Sequence, residues 1–168
     1  EALRGTAERC FAHRLAAPAD ALVLEVDGPL GESFYQADKA IKNSEDAVRD
    51  GGLLVLVAAC GDGVGQDHIA ELMRAAPTWA EAMAVMTARG YRLGDHKAVR
   101  LRRLTDPAQR GVRITVVSDG LDEAACRLLG MTKAPSVADA LAAAGLRPGW
   151  DRICTVEDAG NAVVRVEA

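Results

Sequence analysis

Three side chains able to engage a small anionic ligand are crowded into five positions: Tyr35, Gln36 and Lys39. If this segment is helical, spacings of three and four residues bring them together on the side opposite Phe34, Ala37 and Ile41. A phenol, an amide and an ammonium can then hydrogen-bond and neutralise a carboxylate or a hydroxy acid. A helix starting at Ser33 would add the positive end of its peptide dipole. The same residues have a plainer explanation. Ser33-x-x-Gln36 matches a capping box, which would engage Gln36 in capping the start of the helix, and Lys39 can simply face water.

Other candidates carry weaker signals. His96, in Gly94-Asp95-His96-Lys97, could serve as an acid, a base or a hydrogen-bond donor near neutral pH, although a single histidine near a helix start is often a surface or cap residue. Gly61-Asp62-Gly63-Val64-Gly65 reads G-x-G-x-G. It lacks the G-x-G-x-x-G order of a dinucleotide fingerprint and the G-K-[ST] ending of a P-loop. Glycines there serve a tight strand-to-helix turn equally well. The cysteines Cys10, Cys60, Cys126 and Cys154 and the histidines His13, His68 and His96 are too dispersed for zinc-type spacing, so no metal ligands are assigned. Trp79 and Trp150 read as apolar anchors.

The elements that must position these residues alternate between strand and helix. Ala21–Val26 is a short apolar run ended by Asp27-Gly28-Pro29, as for a buried strand. The stripe Phe34, Ala37, Ile41, Ser44, Val48 predicts a helix from Phe34 to about Asp50, closed by Gly51-Gly52. Leu53–Ala59 is apolar throughout, which suits a central strand covered on both faces. Helices are expected over residues 66–75, 78–89, 97–104, 122–129 and, capped by Ser136, 137–144. Strands are expected at 112–117, 153–156 and 162–166, the last two with unassigned partners. The spacing Leu3, Ala7, Cys10, Phe11, Leu15 predicts an early helix. This order predicts an α/β fold: an open, mostly parallel sheet with helices on both faces, Rossmann-like and three-layered. Ligands of such sheets bind beyond the carboxyl ends of the strands. The segments Asp27 to Lys39, Gly61 to Gly65 and Ser118 to Gly120 are therefore the places to look.

With 168 residues, 49% hydrophobic and 26% charged, the chain has enough apolar material for one globular domain. A net charge of −4 gives no electrostatic ground for nucleic acid or an anionic membrane as partner. No apolar run approaches the roughly 20 residues of a membrane span, and Glu1 to Arg14 is too charged for a secretory signal. A cytoplasmic protein acting on a small diffusing ligand is expected.

The block Ser33-Phe34-Tyr35-Gln36-Ala37-Asp38-Lys39-Ala40, then Ala47, Gly51-Gly52 and Gly61-Asp62-Gly63-Val64-Gly65, resembles the C-terminal domain of the nickel-dependent lactate racemase family. The similarity extends through Gly94-Asp95-His96-Lys97-Ala98 and the Val112 strand, and Tyr35-Gln36-Ala37-x-Lys39-Ala40 is its most specific part. The resemblance implies a two-domain 2-hydroxy-acid racemase or epimerase in which hydride leaves and returns at the carbinol carbon. Residues 1–168 would form its C-terminal, substrate-side domain, inactive alone and partnered by the N-terminal domain of the same polypeptide. The cofactor implied is a nickel-pincer nucleotide, held mainly by that N-terminal domain, whose lysine and histidine motifs do not occur in this sequence. Gln36 and Lys39 fall on the family's glutamine and lysine that contact and polarise the acid, with Tyr35 beside them. His96 falls where some relatives carry a tryptophan, a difference that points to a different substrate. Read from the residues alone, a nucleotide-binding module using the glycine loop and a structural or oligomerising domain both stay open.

Overall fold

The strands form where the apolar runs lie, and the charged and glycine-rich segments connect them. The computed structural model describes residues 11–167. In chain order the elements are β1 (Ala12–Leu15), β2 (Ala19–Val26), α1 (Phe34–Ser44), β3 (Val48–Ala58), α2 (Asp67–Ala75), α3 (Trp79–Arg89) and α4 (Asp95–Thr105). They continue with β4 (Arg113–Val117), α5 (Glu123–Leu128), β5 (Thr132–Lys133), α6 (Val137–Ala143), β6 (Ile153–Val156) and β7 (Val163–Val166).

Five strands make a parallel sheet in the order β5-β4-β3-β2-β6, with the apolar β3 at its centre as expected. Alternate residues feed two cores. Leu22, Leu24, Leu54, Leu56, Ile114 and Val116 pack with Phe34, Ile41, Ile69, Leu72, Leu101 and Cys126 from α1, α2, α4 and α5. Ala21, Val23, Leu53 and Val55 face the other way, against Ala140 and Leu141 of α6. Helices therefore flank both faces, unequally.

Three expectations fail for tertiary reasons. The early helix lies partly outside the described residues. Its last residues, Ala12–Leu15, instead form a strand paired in parallel with β7, so the period-3.6 reading gives way to a pairing across the length of the chain. Helix α1 stops at Ser44, well short of Gly51-Gly52, and a 3-10 turn, Glu45–Ala47, leads directly into β3. Arg110 captures the carbonyls of Glu45 and Val48 at 2.6 and 2.7 Å and holds the chain out of the helix. The glycine pair lies inside β3, where the register with β2 shifts between Ala19 and Ala21, and Gly51 adopts φ +69°. Trp150 anchors nothing apolar: it is 83% exposed, with the Arg147 guanidinium over its ring.

Candidate functional site

The three loops singled out at the strand ends do converge, stitched by their own backbones. The Cys60 amide donates to the Gly31 carbonyl at 2.7 Å and the Asp62 amide to that of Glu32 at 2.8 Å. From the other side, the Gly120 amide and the Ser118 hydroxyl both donate to the Ala59 carbonyl, at 2.9 and 2.8 Å. A cleft of about 300 Å³ opens at this edge, lined by Asp27, Gly28, Gly31, Glu32, Ala59, Ser118 and Asp119. Its charged side chains are carboxylates, an unfavourable lining for an anionic substrate. Tyr35, Gln36 and Lys39 do not line it.

The start of α1 differs from expectation in a way that bears on ligand binding. Ser33 is the N-cap residue but its side chain makes no capping bond. The glycine loop caps the helix instead. The Phe34 amide donates to the Gly63 carbonyl at 2.9 Å and the Tyr35 amide to that of Val64 at 3.0 Å. The Gln36 and Ala37 amides turn back to the Ser33 carbonyl. With its first N–H groups satisfied by protein carbonyls, this helix start offers none to an anion, which removes the dipole contribution expected there. It also gives the glycines a structural purpose. At Gly65 the backbone conformation, φ +91°, strains any side chain, and a Cβ would crowd Tyr35 Cβ at 3.0 Å and Ser33 Cβ at 3.1 Å.

Tyr35 and Gln36 are half-buried and Lys39 is exposed, on the part of α1 turned away from the core. Among the described residues neither the Gln36 amide nor the Lys39 ammonium takes a hydrogen-bond or ion-pair partner, leaving both available to a ligand. Tyr35 is held differently. Lys97, from α4, places its Nζ 4.2 Å from the centre of the Tyr35 ring and donates to the Tyr35 carbonyl at 2.7 Å.

Beneath this turn lies an ion network that sequence reasoning missed. Asp38, 1% exposed, pairs with Arg100 and with Lys97, the latter at 3.3 Å, and Arg100 also reaches Glu45 at 2.5 Å. Burial works against the Arg100 charge, but the Asp38 and Glu45 carboxylates outweigh it and raise its pKa. A signal was present in the sequence. Asp38 follows Phe34 by four residues and precedes Ile41 by three, placing a carboxylate inside an apolar stripe, where it needs a buried cation.

His96 goes elsewhere. Its ring is exposed, with Nδ1 2.9 Å from the Tyr91 hydroxyl, and it lines a depression of about 500 Å³ with Trp79, Met86, Val99, Arg100 and Arg103. The structure thus joins His96 to Tyr91 and its neighbour Lys97 to Tyr35. Asp95, fully buried, takes two hydrogen bonds from Arg89 at 2.9 and 2.8 Å and one from the Arg92 amide, fixing the loop before α4. Hydrogen bonding from Arg89 holds the Asp95 carboxyl below the usual carboxylate range.

Among the described residues no group of three or more His, Cys, Asp or Glu is placed to hold a metal ion. No helix among them is long and apolar enough to cross a membrane. Cys60 and Cys126 are buried free thiols, and burial pushes both pKa values up.

Residues 16–165 match the family model of the lactate racemase C-terminal domain. The chain belongs to this family. A 51-residue stretch is 39% identical to the lactate racemase of Thermoanaerobacterium thermosaccharolyticum, covering 30% of this chain and 12% of that protein. The solved lactate racemase apoprotein from the same organism superposes with a TM-score of 0.81 over 98% of this chain and 40% of its own, at 24% identity. A crystal structure of a Thermotoga maritima protein superposes with a TM-score of 0.69 over 97% of this chain and 40% of its own, at 11% identity. Both superpositions speak for the fold. This lactate racemase C-terminal domain spans about 40% of the length of those two chains.

Proposed function

We propose that this domain is the substrate-side half of a 2-hydroxy-acid racemase or epimerase, with Tyr35, Gln36 and Lys39 meeting the substrate across a cleft closed by an N-terminal domain of the same polypeptide. The observation that carries the reading is the turn Tyr35 to Lys39: an ammonium and an amide without protein partners among the described residues stand beside an anchored phenol, in a chain matched to the family over residues 16–165. On the bare domain that turn is open surface. A second surface closing over it would exclude water and strengthen its electrostatics.

In this reading Lys39 pairs with the substrate carboxylate and stabilises the negative charge that develops on the carbinol oxygen as its proton leaves. Gln36 hydrogen-bonds the same acid, and Tyr35 contributes its hydroxyl and ring edge. His96, joined to Tyr91 in a separate depression, takes no part in this turn. The relatives' family implies a nickel-pincer nucleotide, which would supply the hydride acceptor. Among the described residues no cluster of His, Cys, Asp or Glu suits a nickel ion, so its ligands would come from the N-terminal domain.

The test is racemisation of lactate and of other 2-hydroxy acids by the complete polypeptide with its cofactor loaded, followed by chiral chromatography. Lys39→Ala is expected to lower turnover by about a hundredfold or more, the scale of losing one charge-stabilising donor. Because Lys39 is exposed, the melting temperature should stay unchanged. Wild-type turnover in Lys39→Ala would sink the assignment.

A further inference from the structure

The turn that carries Gln36 and Lys39 is gripped from the neighbouring helix by a single ammonium. Lys97 Nζ donates to the Tyr35 carbonyl at 2.7 Å, sits 4.2 Å from the centre of the Tyr35 ring and lies 3.3 Å from the Asp38 carboxylate. Its side chain is 12% exposed, so little water screens these contacts. The Tyr35 carbonyl is the one that the α-helical ladder pairs with the Lys39 amide. Lys97 therefore holds the residue preceding Gln36, the residue preceding Lys39, and the peptide group joining their two turns.

An ion pair that only stabilised the fold would need Asp38 alone. Arg100 is shared between Asp38 and Glu45, so Lys97 supplies the second positive charge of this network of two carboxylates. The ring and carbonyl contacts are additional, and both act on Tyr35. A cation on one face of the ring restricts where the phenol can swing.

We propose that Lys97 is a positioning residue: it fixes the Tyr35 ring and the turn bearing Gln36 and Lys39 in the orientation that the substrate meets, without touching the substrate. This rests on the functional reading above. Loss of the grip lets that turn wander, and a misplacement of about 1 Å is enough to cost roughly a hundredfold in rate.

The experiment uses the complete, cofactor-loaded polypeptide with Lys97→Met, Lys97→Gln and Lys97→Arg. Two readouts are taken: steady-state racemisation kinetics, and NMR of ring-labelled tyrosine with the Tyr35 signal assigned by its loss in Tyr35→Phe. Expected are a displaced Tyr35 signal in Lys97→Met, a kcat lowered by about ten- to a hundredfold with KM changed by less than about threefold, and partial recovery of kcat in Lys97→Arg. If Lys97→Met does not fold, Lys97→Gln carries the same expectation. An unmoved Tyr35 signal overturns the proposal, as does a kcat loss that tracks a fall in melting temperature and is not recovered by Lys97→Arg. Lys39→Ala in the same series keeps the two readings apart. Full turnover of Lys97→Met beside a crippled Lys39→Ala overturns the positioning role alone, whereas full turnover of Lys39→Ala overturns the functional reading.

Discussion

Asp95 shows how a single buried carboxylate ties stability to pH. The bidentate Arg89 guanidinium and the Arg92 amide hydrogen-bond its charged form, so its folded pKa lies below that of the unfolded chain. The resulting stability is present above the unfolded value, about 3.9, and is lost as pH falls through the depressed folded value. Thermal melts between pH 7 and pH 2 should therefore show an acid limb that is shallower in Asp95→Asn than in the wild type. At neutral pH that variant should be the less stable, because Arg89 loses its partner. Parallel acid limbs would remove Asp95 from the account. The same residue holds the loop from which His96 and Lys97 emerge, so its protonation loosens the base of α4.

At the scale of elements, the carboxyl edge of the sheet is held by close backbone approach, where glycine has no substitute. A Cβ on Gly120 would lie 2.0 Å from the Cys60 carbonyl oxygen and 2.3 Å from its carbon, a collision with backbone that no rotamer change can relieve. Gly120→Ala is expected to destabilise the domain by about 3 kcal/mol or more, measured as a lowered midpoint in urea. A midpoint within experimental error of the wild type would show that the Ser118-Asp119-Gly120 loop can part from β3. Because the glycine loop beside it caps α1, a disturbance here reaches Tyr35 through Gly63 and Val64. Gly63 and Val64 of the glycine loop hold the helix start through their carbonyls.

Across the whole molecule, the two layers contribute unequally. One core joins five helices to the sheet, while the other rests mainly on the short α6 and on Leu146. Leu56, fully buried in the larger core, should cost about 4 kcal/mol when truncated to alanine. Leu146, 8% exposed in the smaller one, should cost about 2 kcal/mol. Equal losses in denaturant unfolding would contradict this division. Tyr35, Gln36 and Lys39 ride on a helix of the thicker layer, supported from beneath by the larger core.

Read alone, the sequence determined the central strand from the unbroken apolar run of Leu53–Ala59 and the α/β alternation from the change of hydrophobic period, and it singled out Tyr35, Gln36 and Lys39 as a candidate turn from their spacing and family resemblance. Those signals are local: each is written within one element. What only the tertiary structure decided depends on partners far along the chain. The strand at Ala12–Leu15 forms because Val163–Val166 lies beside it, and α1 ends at Ser44 because Arg110 claims the carbonyls that follow. The cap on Phe34 and Tyr35 comes from Gly63 and Val64, and the ammonium on the Tyr35 ring comes from Lys97, 62 residues on. Backbone donors and buried charges must find partners wherever the fold supplies them, and a sequence pattern records the need without naming the partner.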